Sequence, residues 1–339
     1  MYIRLNYFRF FLASSVVAFH VFREWVPQAG VLAVLGFFFV SGYLVSKLLS
    51  ETYASRPKHF IANRFLRIYP AYWASLILGC FLITIMPDEL LATNKVISFP
   101  SNVNSVLDNI LIFGLQGNKV RIVPPAWSLD VELNWYLILF VLSFFGLKFR
   151  KLFLMISTAM VVLFIYPVKV KFYGSILGSG FAFSLGAIHY YYQPKFNKYI
   201  SSLSALSIAP VMYIVPHLLA TTGAGNNDVL PYNFLIMIGF VILVFVSFQI
   251  FIDSKASNSE GNKLSSESFS QLLGALSYPM FLTHWYASAL TLYFFDVKKN
   301  TIENLLGTFV IAIILAYVIV IMVERPVSKY RRSIRHNKI

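Results

Sequence analysis

Apolar residues along this chain gather in runs of about twenty, parted by short polar breaks. That is the length an α-helix needs to cross a hydrocarbon core of ~30 Å. Ten such runs stand at 5–25, 30–50, 68–87, 128–147, 151–167, 173–192, 201–218, 232–252, 272–295 and 303–323. The fifth is short and Pro210 interrupts the seventh, so eight to eleven spans fit the pattern. Two connections are longer. The outer one, 88–127, holds VLDNILIFGL, suited either to a short helix or to a segment lying flat on the membrane. The inner one, 253–271, reads DSKASNSEGNKLSSESFSQ and is expected to be a mobile polar loop. No internal repeat, Gly-rich nucleotide loop or second soluble domain is legible. The pattern predicts an all-α polytopic integral membrane protein of about ten transmembrane helices. Residues 1–326 form its single transmembrane domain and 327–339 a basic cytoplasmic tail.

Composition sharpens this. Of 339 residues, 58% are hydrophobic and only 12% charged, with a mean hydropathy of +0.69. A soluble domain carries about 25% charged residues. The 28 basic against 14 acidic residues would suggest nucleic acid in a soluble protein. Here the basic residues fall where cytoplasmic loops collect them. With the N-terminus inside, Arg56, Lys58, Arg64 and Arg67 share one inner loop. Lys148, Arg150 and Lys151 share the next, then Lys195 and Lys198, and last the tail VSKYRRSIRHNKI. Both termini are therefore expected in the cytoplasm, with membrane lipids and no nucleic acid as partners. The single cysteine, Cys80, excludes an intrachain disulfide and any cysteine cluster for a metal. No small-x-small cleavage site follows AFHVFREW, so the first run is expected to be a retained helix and not a signal peptide.

Polar groups inside these oily runs carry the candidate chemistry. Arg9 and His20 lie eleven positions apart on the first helix, close to three full turns. They share a face and are separated along the axis by roughly 16 Å. Arg9 is placed near the inner boundary and His20 in the outer half of the bilayer. Each has a blander account: Arg9 can snorkel to lipid phosphate, and His20 can bond a neighbouring helix. In FFFVSGYL, Gly42 permits close helix approach and Ser41 reads as structural before it reads as a substrate contact. In NRFLRIYP, Arg64 and Arg67 share a face and suit a phosphate clamp at the inner mouth, with Pro70 opening the third span. PPAWSLDVELNWY places Trp127, Asp130 and Glu132 at the outer end of the fourth span. A carboxylate beside His20 would hold its imidazole as a base, and Glu132 is the preferred partner over Asp130. LSYPMFLTHWY adds His284 and Tyr286 as candidate oxyanion donors. VERP ends the last span with Glu324 and Arg325, expected to close an inner ionic network.

Taken in order, these motifs resemble the acyltransferase 3 family of multi-pass bacterial enzymes that O-acylate surface carbohydrates. The first-helix arginine and histidine, FFFVSGYL, RFLRIYP, WSLDVELNWY, SYPMFLTH and ERP each match a family element. The matches run from residue 9 to 326. The resemblance is to the membrane part, without the SGNH-type domain that some members carry. It departs at Asp130, Leu133, Met280 and Phe281, where the family more often has other residues.

The resemblance implies an enzyme of the bacterial inner membrane. Such an enzyme transfers an acyl group, acetyl before succinyl, from cytoplasmic acyl-CoA to a hydroxyl of a cell-envelope saccharide or lipid-linked glycan. His20 would be the essential histidine and Glu132 the motif acid, with Arg9, Arg64 and Arg67 as the conserved basic positions. The expected route seats the donor's phosphates at Arg9, Arg64 and Arg67 and runs its arm through an open tunnel to His20. Transfer would be direct or through an acyl-histidine. A secondary transporter of an anionic solute would want similar residues, but normally shows two similar halves. An assembly protein of the envelope would show no donor binding at all.

Overall fold

In a computed structural model of the chain, residues 2–54, 56–87, 97–117, 120–160, 174–221, 230–252 and 260–336 are described. They form thirteen α-helices. These are α1 (Ile3–Val21), α2 (Ala29–Lys47), α3 (Pro57–Ile85), α4 (Val103–Leu111), α5 (Ala126–Leu142), α6 (Leu147–Met160) and α7 (Ile176–Tyr192). There follow α8 (Lys198–Tyr213), α9 (Val215–Thr221), α10 (Leu230–Ile252), α11 (Glu260–Phe295), α12 (Ile302–Ile319) and α13 (Arg325–His336). Among the described residues, six helical stretches are long and apolar enough to cross a membrane: 29–52, 57–85, 126–145, 198–218, 234–252 and 302–333. The protein is thus an all-α polytopic membrane protein.

Local chemistry explains several helix starts. Ser175, Asn197 and Thr301 each cap a helix by accepting a backbone N–H from the first turn. Pro57 opens α3, where its missing N–H costs nothing. Pro70 lies within α3, so it does not begin the third span as the sequence suggested. Interior prolines are tolerated where neighbouring helices satisfy the freed carbonyl. The inner loop is also shorter than expected. Its residues 253–259 lie outside the described residues, and α11 already runs from Glu260. Extending an existing helix fixes one residue per added bond, which polar residues can meet as readily as apolar ones. The fifth predicted run is helical to Met160, and the rest of it lies outside the described residues.

The outer segment VLDNILIFGL does form a short helix, α4, capped by Asn102. Three side chains of α3 stitch it down. Tyr72 donates to the carbonyl of Asn109, Trp73 to Ile110 at 3.0 Å and Tyr69 to Leu111 at 2.6 Å. Those carbonyls belong to the last turn, which has no partners of its own.

At the centre of the bundle, α2 crosses α7 at backbone contact. A Cβ at Gly42 would strike the carbonyl of Phe183, and one at Gly186 the carbonyl of Phe39. Paired glycines let the two backbones approach this closely. Around the crossing, Phe39, Tyr43, His189 and Phe248 pack edge to face. Two π-helical turns, Leu48–Thr52 after α2 and Val320–Glu324 after α12, interrupt the regular ladder. Such turns re-aim side chains and often lie at functional sites. Each carries an acid, Glu51 and Glu324, into the cavity described next.

Candidate active site

A cavity of about 730 Å³ opens between α1, α2, α3, α5, α11 and α13. Six basic side chains line it: Arg9, Lys47, Arg64, Arg67, Arg331 and Arg332. Three acids face them: Glu51, Glu132 and Glu324. The surplus of positive charge suits a large anion. Arg67 Nη1 donates to both oxygens of Glu324, at 2.8 and 3.0 Å, and its guanidinium sits 5.4 Å from the Tyr278 ring. Lys47 pairs with Glu51 at 3.7 Å and donates to the hydroxyl of Tyr2. Arg9 lies close enough to Arg67, Glu324 and Glu132 for their charges to act on it. The structure thus brings together Arg9, Arg64 and Arg67, as the sequence suggested. Arg325 is exposed at the start of α13, so the expected inner network consists of Glu324 with Arg67 and does not include it.

Glu132 belongs to this cavity. One of its oxygens accepts the Ser41 hydroxyl at 2.5 Å and also the hydroxyl of Tyr136. The expected contact between Glu132 and His20 does not form. The position of Glu132 near the start of α5 suggests a depth close to His20, whereas its side chain lines a cavity shared with Arg9. Asp130 does not take its place. It is buried, with one oxygen accepting the Gln116 N–H at 2.9 Å and the other the Asn134 amide at 2.9 Å. Asp130 ties the loop before α5 to that helix. Ser41 is committed to Glu132, and Trp127 packs half-buried against the main core.

His20 sits elsewhere, at the last turn of α1. The residue as a whole is partly open to the surface, yet three rings crowd its imidazole: Phe19 at 5.0 Å, Trp285 at 4.6 Å and His284 at 5.1 Å between centroids. His284 is fully buried, with Nδ1 2.7 Å from the carbonyl oxygen of Phe281. A carbonyl can only accept, so that nitrogen carries the proton and Nε2 of the neutral ring is left as an acceptor. Nε2 has no hydrogen-bond partner among the described residues. Neutral His284 therefore offers a lone pair and not the donor an oxyanion requires. Tyr286 also differs from expectation, because its hydroxyl donates to the carbonyl of Ile122.

Among the described residues, the cavity at Arg9 does not extend to His20. His20 is not among the residues lining the cavity, whose inner end includes Val34, Phe37 and Phe281. Phe37 and Phe281 meet edge to face at 5.9 Å, and His284 lies 6.1 Å beyond Phe281. On α1 itself, Ala13, Val16 and Val17 fill the stretch between Arg9 and His20 and are buried. An apolar septum thus separates the cationic cavity from the histidine pair.

The fold and this site define a class: a polytopic helical membrane protein with a basic cavity on one side of a septum and paired imidazoles on the other. The family model for the acyltransferase domain matches residues 2–325, and the chain belongs to that family. Among similar proteins are the O-acetyltransferases OatA of Staphylococcus aureus strains NCTC 8325 / PS 47 and COL. Each is 30% identical over 161 residues, covering 43% of this chain and 25% of the relative. The match therefore spans about a quarter of those relatives' length. No solved structure matches the chain significantly.

Sequence reasoning missed Arg331 and Arg332 of the cavity, since basic residues of an inner tail read as ordinary topology signals, and Asn63, a neutral residue beside Arg64 with no signal of its own. It also missed Tyr136, although a residue four positions after Glu132 on one helix face could have been found by spacing.

Proposed function

We propose that this chain is an acyl-CoA-dependent O-acyltransferase of the bacterial inner membrane, acting on a hydroxyl of a cell-envelope saccharide with acetyl as the expected acyl group. Family membership supports the reaction class, and the names of the OatA relatives support acetyl. The single observation that carries the reading is the basic cavity ending on an aromatic pair directly below two histidines. Residues 1–326 act as one transmembrane domain of ten spans, with 327–339 and the N-terminus on the cytoplasmic side. The donor's nucleotide occupies the cationic cavity, and its thin arm passes Phe37 and Phe281 when they part.

The acceptor hydroxyl meets the thioester at His20. Its oxygen attacks the carbonyl carbon while the His20 imidazole takes the hydroxyl proton. Collapse of the tetrahedral adduct breaks the carbon–sulfur bond, and the departing thiolate recovers that proton from the imidazolium. His284 lies beside His20 with its lone pair free to hold the imidazole. It takes the positioning role first assigned to Glu132. In the cavity, Glu132 balances the arginines.

The test uses purified full-length protein with labelled acetyl-CoA, and the surface glycans of cells with and without the gene. Cells with the gene should carry a fixed mass increment on one glycan. His20→Ala should abolish transfer while leaving the melting temperature and acetyl-CoA binding near those of the parent. Near-normal transfer by the purified variant would remove His20 as the base. Movement of an anionic solute across vesicles, with no acylated product, would replace the enzyme reading by a transporter.

A further inference from the structure

The C-terminal helix α13 packs against α3 and brings two arginines into the cavity. Arg331 Nη2 donates to Oδ1 of Asn63 at 3.3 Å, and Arg64 Nη2 donates to the same oxygen at 3.0 Å. Asn63 is buried. Two guanidiniums thus converge on one neutral acceptor. The Nε of each is buried without a hydrogen-bond partner among the described residues. The nearby acid, Glu324, is already held in both its oxygens by Arg67. Arg331 therefore lies among Arg64 and Arg67 with their charges acting against its own.

Such an arrangement is costly as it stands. Buried charge is normally paired, and buried donors are normally satisfied. A guanidinium presents five N–H groups in a rigid fork that fits phosphate oxygens two at a time. Asn63 occupies one oxygen's worth of that capacity and sets the two forks side by side. A dianionic phosphate in the cavity would meet the Nη donors that Asn63 leaves over on both forks and relieve the repulsion.

We propose that Arg331 and Arg64, aligned by Asn63, form a phosphate-binding site for the nucleotide end of the acyl donor, so that the C-terminal helix is one wall of the donor site. The proposal rests on the acyl-CoA reading above and adds Arg331, Asn63 and α13 to it. The same chemistry would hold an anionic lipid headgroup, which is the competing source of phosphate.

The test compares full-length parent, Arg331→Gln and Arg331→Lys in nanodiscs of phosphatidylcholine and of phosphatidylglycerol. Binding of acetyl-CoA is measured directly. Transfer is measured with acetyl-CoA and with acetyl-pantetheine, which keeps the arm and thioester but lacks the nucleotide phosphates. Losing hydrogen bonds to a charged group predicts acetyl-CoA affinity weaker by about ten- to a hundredfold in Arg331→Gln. Arg331→Lys, which keeps the charge but not the fork, should lose less. Acetyl-pantetheine should be used equally by all three proteins. If acetyl-pantetheine suffers the same loss, Arg331 acts on the fold and the proposal fails. It also fails if the parent binds acetyl-CoA and both variants match it, which leaves the acyltransferase reading standing. A defect confined to stability in phosphatidylglycerol would assign the site to lipid. A parent that binds no acetyl-CoA in either bilayer would overturn both readings together.

Discussion

Replacing Glu324 by glutamine breaks the shortest ion pair of the cavity among the described residues. The carboxylate takes two hydrogen bonds from a single Arg67 nitrogen, and the two side chains are only 14% and 20% exposed. Cutting a buried pair at one end costs about 3–5 kcal/mol, because the partner's charge stays buried without compensation. Slight exposure at the cavity wall moves the expectation to the low end, roughly 3 kcal/mol. For a chain of this size that corresponds to a fall of about 4 °C in melting temperature. The loss should exceed the simple pair because Arg9 and Arg331 also feel Glu324.

A thermal melt in one detergent, followed by intrinsic fluorescence, measures this for Glu324→Gln, Arg67→Met and the double variant. Removing both partners removes the stranded charge, so the double variant should be more stable than the sum of the single losses predicts, by about 2 kcal/mol. Acetyl-CoA should also raise the melting temperature of Glu324→Gln more than that of the parent, since a phosphate can replace the missing carboxylate. Additive single losses, or a glutamine variant as stable as the parent, would refute the account of Glu324 as the charge that makes the arginine cluster tolerable.

Substitutions at two further positions test the frame and the outer loop. Gly42→Leu should prevent stable folding, seen as loss of the monodisperse peak on size exclusion, because any side chain there strikes the Phe183 carbonyl. Even Gly42→Ala should lower the melting temperature; an unchanged melt would mean the helices can part at no cost. Asp130→Ala should destabilise by about 1 kcal/mol, the low end of the cost of leaving the part-buried Gln116 N–H without its acceptor. Asp130→Asn keeps an acceptor and should restore most of that stability. Both variants should keep transfer activity at low temperature, and abolished transfer in folded Asp130→Asn would return Asp130 to the chemistry.

What the sequence yields here follows from what repeats along it. Spans, and the shared face of Arg9 and His20, depend on the helical period alone and are legible from one helix at a time. Gly42 could be read as a close-approach residue, but its partner Gly186 could not, since nothing in either helix names the other. Depth was the weakest inference. Glu132 stands near the start of α5, and counting residues puts it near His20; a cavity that reaches far into the bundle puts it with Arg9 instead. Arg331 was hidden for a different reason. A tail rich in lysine and arginine satisfies the topology rule so completely that no residue in it asks for a second explanation. The packing of α13 onto α3 distinguishes Arg331 from its neighbours.

The septum gives the proposed reaction its direction. A nucleotide with several charges cannot cross Phe37, Phe281 and the valines of α1, because each charge taken into hydrocarbon costs several kcal/mol. A pantetheine arm carries amides and a thioester but no charge, so it can pass where two aromatic rings part. The arginines then do more than bind. In the proposed reaction they hold the phosphates and so fix how far the arm can reach, with roughly 16 Å of helix between Arg9 and His20 to span. On this reading the donor never leaves the cytoplasmic side and the acceptor never enters it. Only the acyl group is shared between the two compartments, and the closed aromatic pair keeps ions and water from following it.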